Sequence, residues 1–243
     1  MPHIALHGDE SLYTGPFALR DGWIAYPDGR PDNVSGRPDV WLDDVSGQGV
    51  LVLRTVGTAT GPVRAADISP HRQFACMSGL LCQGCGRPST TDPESDAWLW
   101  VLPVTQGGRP VIPSGLLTES PPVCADCVHD HIPRCPVLKH GRQLLWVSEA
   151  PVVGVMATVN PPPALSSRGL GPRFLPLPAD DADESARAAW DCAVAHSLVR
   201  QILAYRVADP DEVAELRSGP DALDRVCPFS GPGHAVTTAG EAR

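Results

Sequence analysis

Apolar residues gather in a few short runs separated by long polar stretches. Residues 49–56, Gly-Val-Leu-Val-Leu-Arg-Thr-Val, follow a Gly-rich turn and predict a strand. Residues 98–102, Trp-Leu-Trp-Val-Leu, predict a second, stopped by Pro103. Two more are expected at 143–148 and 152–159, with Glu149-Ala-Pro-Val as the bend between them, and a short one within 22–27. Ser69 as N-cap and Pro70 in the first turn predict a helix over 70–81. Short helices are read at 125–131 and 211–217. The strongest helical pattern covers 183–207. There Trp190, Val194, Leu198 and Ile202 recur every fourth position, with Ala186, Ala193, Val199 and Leu203 alongside. Asp180, Asp181, Asp183 and Glu184 stand at its N-terminal end and Arg200 and Arg206 near the other, as a helix dipole favours.

Residues 1–20 show no period, and 27–48, 58–69, 86–96 and 104–122 read as loops or connections rich in turn formers. Gly and Pro together make 50 of 243 residues, so long irregular connections are expected around a compact core. The predicted class is α+β: a small antiparallel sheet with a four-cysteine zinc-knuckle insertion and a long C-terminal helix. The division read from the chain is 1–160 as a zinc-stabilised α+β domain, 161–182 as a Pro/Gly-rich linker, 183–227 as a C-terminal helical segment and 228–243 as a disordered tail.

Acids outnumber bases by 28 to 19, giving a formal charge of −9. Nucleic-acid binding rests on neutralising phosphates with Lys and Arg, so this balance speaks against a nucleic-acid partner. The N-terminus lacks a charged segment followed by an apolar one, and the longest apolar run, 151–159, is too short to span a bilayer. A cytoplasmic protein without membrane attachment is expected. In a reducing compartment, cysteines at CxxC spacing point to metal or redox chemistry in place of disulfides.

Cys82-Gln-Gly-Cys85-Gly86 and, after 38 intervening residues, Cys124-Ala-Asp-Cys127 supply four sulfurs from two tight turns. Zn²⁺ favours four-coordinate tetrahedral sites, and two CxxC pairs are a common structural form of one. Gly86 suits the positive φ such a knuckle requires. With Cys82, Cys85, Cys124 and Cys127 all bound, the metal has no open position and serves the fold. Burial of inert thiol pairs is the alternative. A redox CxxC is disfavoured, since no βαβ context surrounds either pair.

Further candidates cluster just beyond: His129, His131, Cys135 and His140. Cys135 reads as a ligand or as a nucleophile partnered by His131, or as a small packing residue. His71 with Cys76, and Cys192 with His196 on one face of the long helix, are weaker pairs without a third ligand. Cys227 has no recognisable partner. Trp98, Trp100 and Trp146 fall on predicted strands and are read as core. There is no Gly-rich phosphate loop, no Gly-x-Ser-x-Gly elbow and no zinc-protease or deaminase motif.

The order of these features, with Leu81-Cys-Gln-Gly-Cys-Gly-Arg-Pro, Trp98-Leu-Trp-Val-Leu, Pro121-Pro-Val-Cys-Ala-Asp-Cys and Arg134-Cys-Pro, resembles a group of uncharacterised actinobacterial, streptomycete-type proteins with paired CxxC zinc-ribbon-like motifs. The likeness spans roughly residues 40–160. It implies a source and the importance of Cys82, Cys85, Cys124, Cys127 and Cys135, and no substrate. A single Lys139 against 18 arginines fits a high-GC genome. The expected role is a zinc-stabilised binding or regulatory module acting on a protein or small molecule. The alternatives are an enzyme of specialised metabolism with its Cys/His site (Cys135, His131, His140) apart from the zinc, and a zinc-ribbon nucleic-acid binder using Arg72, Arg87, Arg134 and Arg142.

Overall fold

The structure is a computed structural model that describes residues 3–20, 22–28, 40–42, 49–104, 115–135, 138, 141–160, 171–179, 182 and 184–217. The strands in the first half of the chain are β1 (Ala5–His7), β2 (Glu10–Leu12), β3 (Ala18–Arg20), β4 (Trp23–Ala25), β5 (Val40–Leu42), β6 (Gly49–Val52), β7 (Thr55–Gly57), β8 (Val63–Ile68) and β9 (Trp98–Pro103). They continue with β10 (Leu116–Thr118), β11 (Arg142–Glu149), β12 (Val152–Val159), β13 (Arg173–Pro176), β14 (Ala193–Ile202) and β15 (Ala204–Val207). The helices are α1 (Pro70–Ser78), α2 (Ala125–Asp130), α3 (Glu184–Asp191) and α4 (Pro210–Glu215). The class is α+β, as the sequence predicts. Two sheets dominate in place of one small antiparallel sheet. One has six strands in the order β13-β12-β14-β6-β5, with β10 also on β14; the other has three, β15-β11-β9. The six-stranded sheet is mixed, because β14 runs parallel to β6 and antiparallel to β12 and β10.

The long C-terminal helix does not form. Helix α3 ends at Asp191, and the chain continues as β14, the central strand of the large sheet. The apolar spacing explains the misreading. A repeat of four is close to the helical period of 3.6 and is also two strand periods of 2, so Val194, Leu198 and Ile202 fit either state. Burial on both faces decides it, since Ala193, Val194, Ala195, Leu198, Val199 and Ile202 are all buried. A strand covered on both sides reads as near-continuous apolar sequence. Within the expected linker, 173–176 form β13 and extend the same sheet; 161–170 and 218–243 lie outside the described residues.

Helix α1 packs on β14 through a buried amide. Gln73 donates to the carbonyls of Leu198 (2.9 Å) and Glu119 (2.8 Å), and its Oε1 accepts from Leu198 N–H (2.9 Å). The helix stops at Ser78, three residues short of the expected end. Leu80 takes a left-handed φ of 50°, which turns the chain toward the first cysteine pair. Phe74 and Met77 enter the core with Trp190, Val155 and Leu198.

The two sheets share one bent ribbon. Strands β11 and β12 run on across Ala150 and Pro151, and β14 and β15 run on across Leu203, so each arm passes from one sheet to the other. Leu203 N–H to Glu149 O (3.0 Å) and Gln201 N–H to Pro151 O (3.0 Å) keep the arms paired through the bend. Arg200 pins it, donating to Ala150 O and to Met77 O.

Candidate metal centre

The first cysteine turn is set by its neighbours. Leu81 bridges Pro88, Cys82 N–H donates to Arg87 O (2.7 Å) and Gly86 N–H to Cys82 O (2.8 Å), closing a tight loop. Gly86 takes φ +72°, and a Cβ there would come within 2.8 Å of the His3 ring. At Gly84 a Cβ would lie 2.7 Å from Cys127 Sγ, so only glycine lets the two knuckles close on each other. The segment preceding β1 braces the outside, with His3 N–H on Gly84 O (2.9 Å).

The second pair straddles the start of α2. Cys124 is its N-cap residue and Cys127 lies one turn in. Thr90 Oγ1 accepts from Ala125 N–H (2.9 Å), and Val123 N–H donates to Leu99 O (2.8 Å), which hangs this turn on the edge of β9. Gln83 then ties the turns together, its N–H donating to Pro122 O and its side-chain amide to Pro121 O, both at 2.9 Å.

All four Sγ atoms lie within 4.8 Å of one another, and Cys85 and Cys124 are 3.7 Å apart. Tetrahedral metal–thiolate bonds of about 2.3 Å would place sulfurs about 3.8 Å apart. Four cysteines so placed can hold a metal ion. Cys82, Cys124 and Cys127 are buried and Cys85 is partly exposed. Gly84 N–H donates to Cys82 Sγ (3.3 Å) and Arg87 Nε to Cys85 Sγ (3.4 Å). Arg87 also reaches Asp126 Oδ2 (3.2 Å), linking the side chains outside the two knuckles.

Hydrogen bonds among the sulfurs divide the thiols. The bond with Cys124 above all, then those with Cys127 and Cys82, drops Cys85 far below the ordinary thiol range. Bonds with Cys127 and Cys82 also lower Cys124. The bond with Cys124 is the largest effect raising Cys82 and Cys127, and burial adds to it. Four sulfurs this close would repel one another if all were ionised, and a divalent cation among them would remove that conflict.

The remaining sequence candidates do not join this group. Cys135 caps the 3-10 turn Ile132–Arg134, its N–H donating to Ile132 O (3.0 Å), and among the described residues the sulfur group holds only the four knuckle cysteines. His131 lies at the end of α2, with its N–H on Cys127 O (3.0 Å), and His140 and Cys227 fall outside the described residues. His129 is exposed and contacts Asp130 (3.1 Å). Cys76 is buried in α1 and points to Cys82 O (3.8 Å). Cys192 and His196 lose their shared helical face, because α3 ends before them. Four residues of extended chain cover roughly 13 Å, which separates them. His196 instead meets Thr158 Oγ1 (2.9 Å). Trp100 and Trp146 are core residues on opposite faces of the three-stranded sheet.

The arginines named for nucleic acid are partly spoken for. Arg72 is buried against Glu10 (2.7 Å), and Arg87 serves the sulfur site. Sequence reasoning missed the Arg87–Asp126 link, although Asp126 stands inside the second CxxC and Arg87 two residues beyond the first. No helix among the described residues is long and apolar enough to cross a membrane. Comparison with known protein families, with curated proteins and with solved structures returned no match.

Proposed function

We propose that Cys82, Cys85, Cys124 and Cys127 hold one structural Zn²⁺, and that the chain is a cytoplasmic binding or regulatory module acting on a protein or small molecule. The convergence of four sulfurs within 4.8 Å carries the metal reading. Soft thiolate ligands in tetrahedral array suit Zn²⁺ or iron. Zinc is favoured because closed four-thiolate sites built from two CxxC pairs are a common structural zinc form, and among the described residues no fifth ligand joins the four sulfurs. A closed four-sulfur site supplies a cross-link and offers no position for substrate.

Elemental analysis of purified protein tests it, with about one zinc per chain expected. A chelator strong enough to strip the metal should abolish the near-ultraviolet circular dichroism of the buried tryptophans. Stoichiometric iron with a red thiolate chromophore would reassign the metal. A metal-free protein of unchanged thermal stability would overturn the reading.

A further inference from the structure

The metal centre fixes one wall of a second feature. Helix α2 turns Cys127 toward the sulfur cluster, while Val128 and His129 face an open groove of about 950 Å³. The opposite wall is α4, through Val213 and Ala214. The floor is the start of β11 and the chain just after β15, where Leu144 and Ala208 are buried. This volume lies within the range of small-molecule sites, about 300–1,000 Å³, which are mostly apolar with a few placed polar groups.

Charge at the groove is asymmetric. Asp209 is already engaged, since its carboxylate accepts Asp211 N–H (2.9 Å) and caps α4. Arg142 lines the groove, is exposed, and its guanidinium makes no hydrogen bond or ion pair among the described residues. Arg54, Arg72, Arg87 and Arg206, by contrast, all pair with carboxylates. Val207, a large apolar side chain, stays 55% exposed at the rim. An apolar trough with an uncommitted guanidinium complements a ligand with an apolar body and an anionic head. Guanidinium matches a carboxylate in geometry as well as charge.

Resting on the reading of the chain as a binding module, we infer that this groove binds an amphipathic carboxylate of acyl or aryl-alkyl type. The apolar body lies along the exposed Pro133, Val207 and Ala214, over the buried Val128, Leu144 and Val213, and the carboxylate pairs with Arg142. Because α2 is held by Cys124 and Cys127, metal removal opens the groove and abolishes binding.

Titration calorimetry of metal-replete protein with monomeric decanoate, decanol and decylamine at low salt tests this. Decanoate should bind at least tenfold more tightly than either uncharged decanol or cationic decylamine. Arg142→Gln should reduce decanoate to the affinity of decanol and leave decanol unchanged. Ala214→Trp fills the groove from an exposed position and should remove both, with wild-type circular dichroism retained in each variant. No saturable decanoate binding, equal affinity for decanol, or indifference to Arg142→Gln would overturn the inference. A dimer by sedimentation that Ala214→Trp dissociates would give the groove to a second copy of the chain and would also overturn it. Metal analysis of the same samples keeps the two readings apart. Zinc-loaded protein that ignores decanoate sinks the groove alone, and folded metal-free protein that binds it sinks the zinc and the groove's dependence on metal while leaving the groove itself.

Discussion

The two sheets are held by different physics although one ribbon runs through both. The six-stranded sheet has α1 and α3 to cover it, and its centre is Leu198, Trp190, Met77 and Val155 packed without solvent. The three-stranded sheet has on one face a cluster in which Cys82, Cys124 and Cys127 stand beside Leu99, Val101 and Trp146. The elements around those sulfurs are short: a six-residue helix, a 3-10 turn and two loops. Apolar burial stabilises in proportion to area, and segments this short bury little of it. Where helices and long strands are scarce, a metal held by the four sulfurs would supply the cross-link they lack.

The largest test of this contrast is Cys127→Ser. It should release the metal and remove on the order of 10 kcal/mol from the layer around it. Hydrogen exchange should then show amides of β9 losing protection first while those at the centre of β14 keep theirs. Equal loss in both sheets would make them one cooperative unit and erase the distinction.

Leu198→Ala probes the other region. Truncating a fully buried leucine should cost about 3 kcal/mol by denaturant melting. Metal content should stay at the wild-type level. Loss of metal with this change would show that the ribbon transmits packing defects into the sulfur cluster.

Glu10→Gln tests a third kind of support, the buried pair with Arg72 that ties β2 to α1. Breaking such a pair should cost about 3 kcal/mol at neutral pH. Burial pushes the Glu10 carboxyl up, but the bonds from Arg72 and His7 N–H outweigh it and hold it below the usual carboxylate value. Its contribution is therefore complete above the unfolded value, about pH 4.3, and falls away as pH drops through the lower folded one. Melting curves of wild type and variant should converge over that acid window. A constant gap would show that Glu10 acts without its charge.

Arg206→Gln should have the smallest effect. Arg206 clips α4 to Trp146 and Asp92, bonding Glu212 at 2.6 Å, yet its side chain is 46% exposed. Asp92 is buried but keeps its bonds from Ser95 and Glu94 N–H, and ion pairs open to solvent at the arginine end contribute about 1 kcal/mol or less. A fall in melting temperature matching that of Leu198→Ala would show that this clip, and not the sulfur cluster, holds the small sheet.

Legibility in the sequence follows the same contrast. The sulfur pairs declare themselves because chelation from a tight turn demands cysteines three apart followed by Gly86. Strand β12 was readable over 152–159 because its apolar run is long and bounded by Pro151 and Asn160. Strand β14 was not, because its fourfold spacing serves helix and strand alike and only its neighbours on both edges select the strand. Strands β8, β10 and β13 are three to six residues long and sit in Pro-, Gly- or Ala-containing stretches; their partners β1, β14 and β12 make them strands. The groove was invisible for another reason. Its walls come from residues near 128, 142 and 213, which no local pattern connects.

Continuity of the ribbon has an evolutionary consequence. A cut at either bend would strand half of each paired arm and expose raw backbone on both fragments. Neither portion of this chain is therefore a transplantable cassette. Recombination that moved the cysteine knuckles elsewhere without both arms would deliver ligands with nothing to stand on.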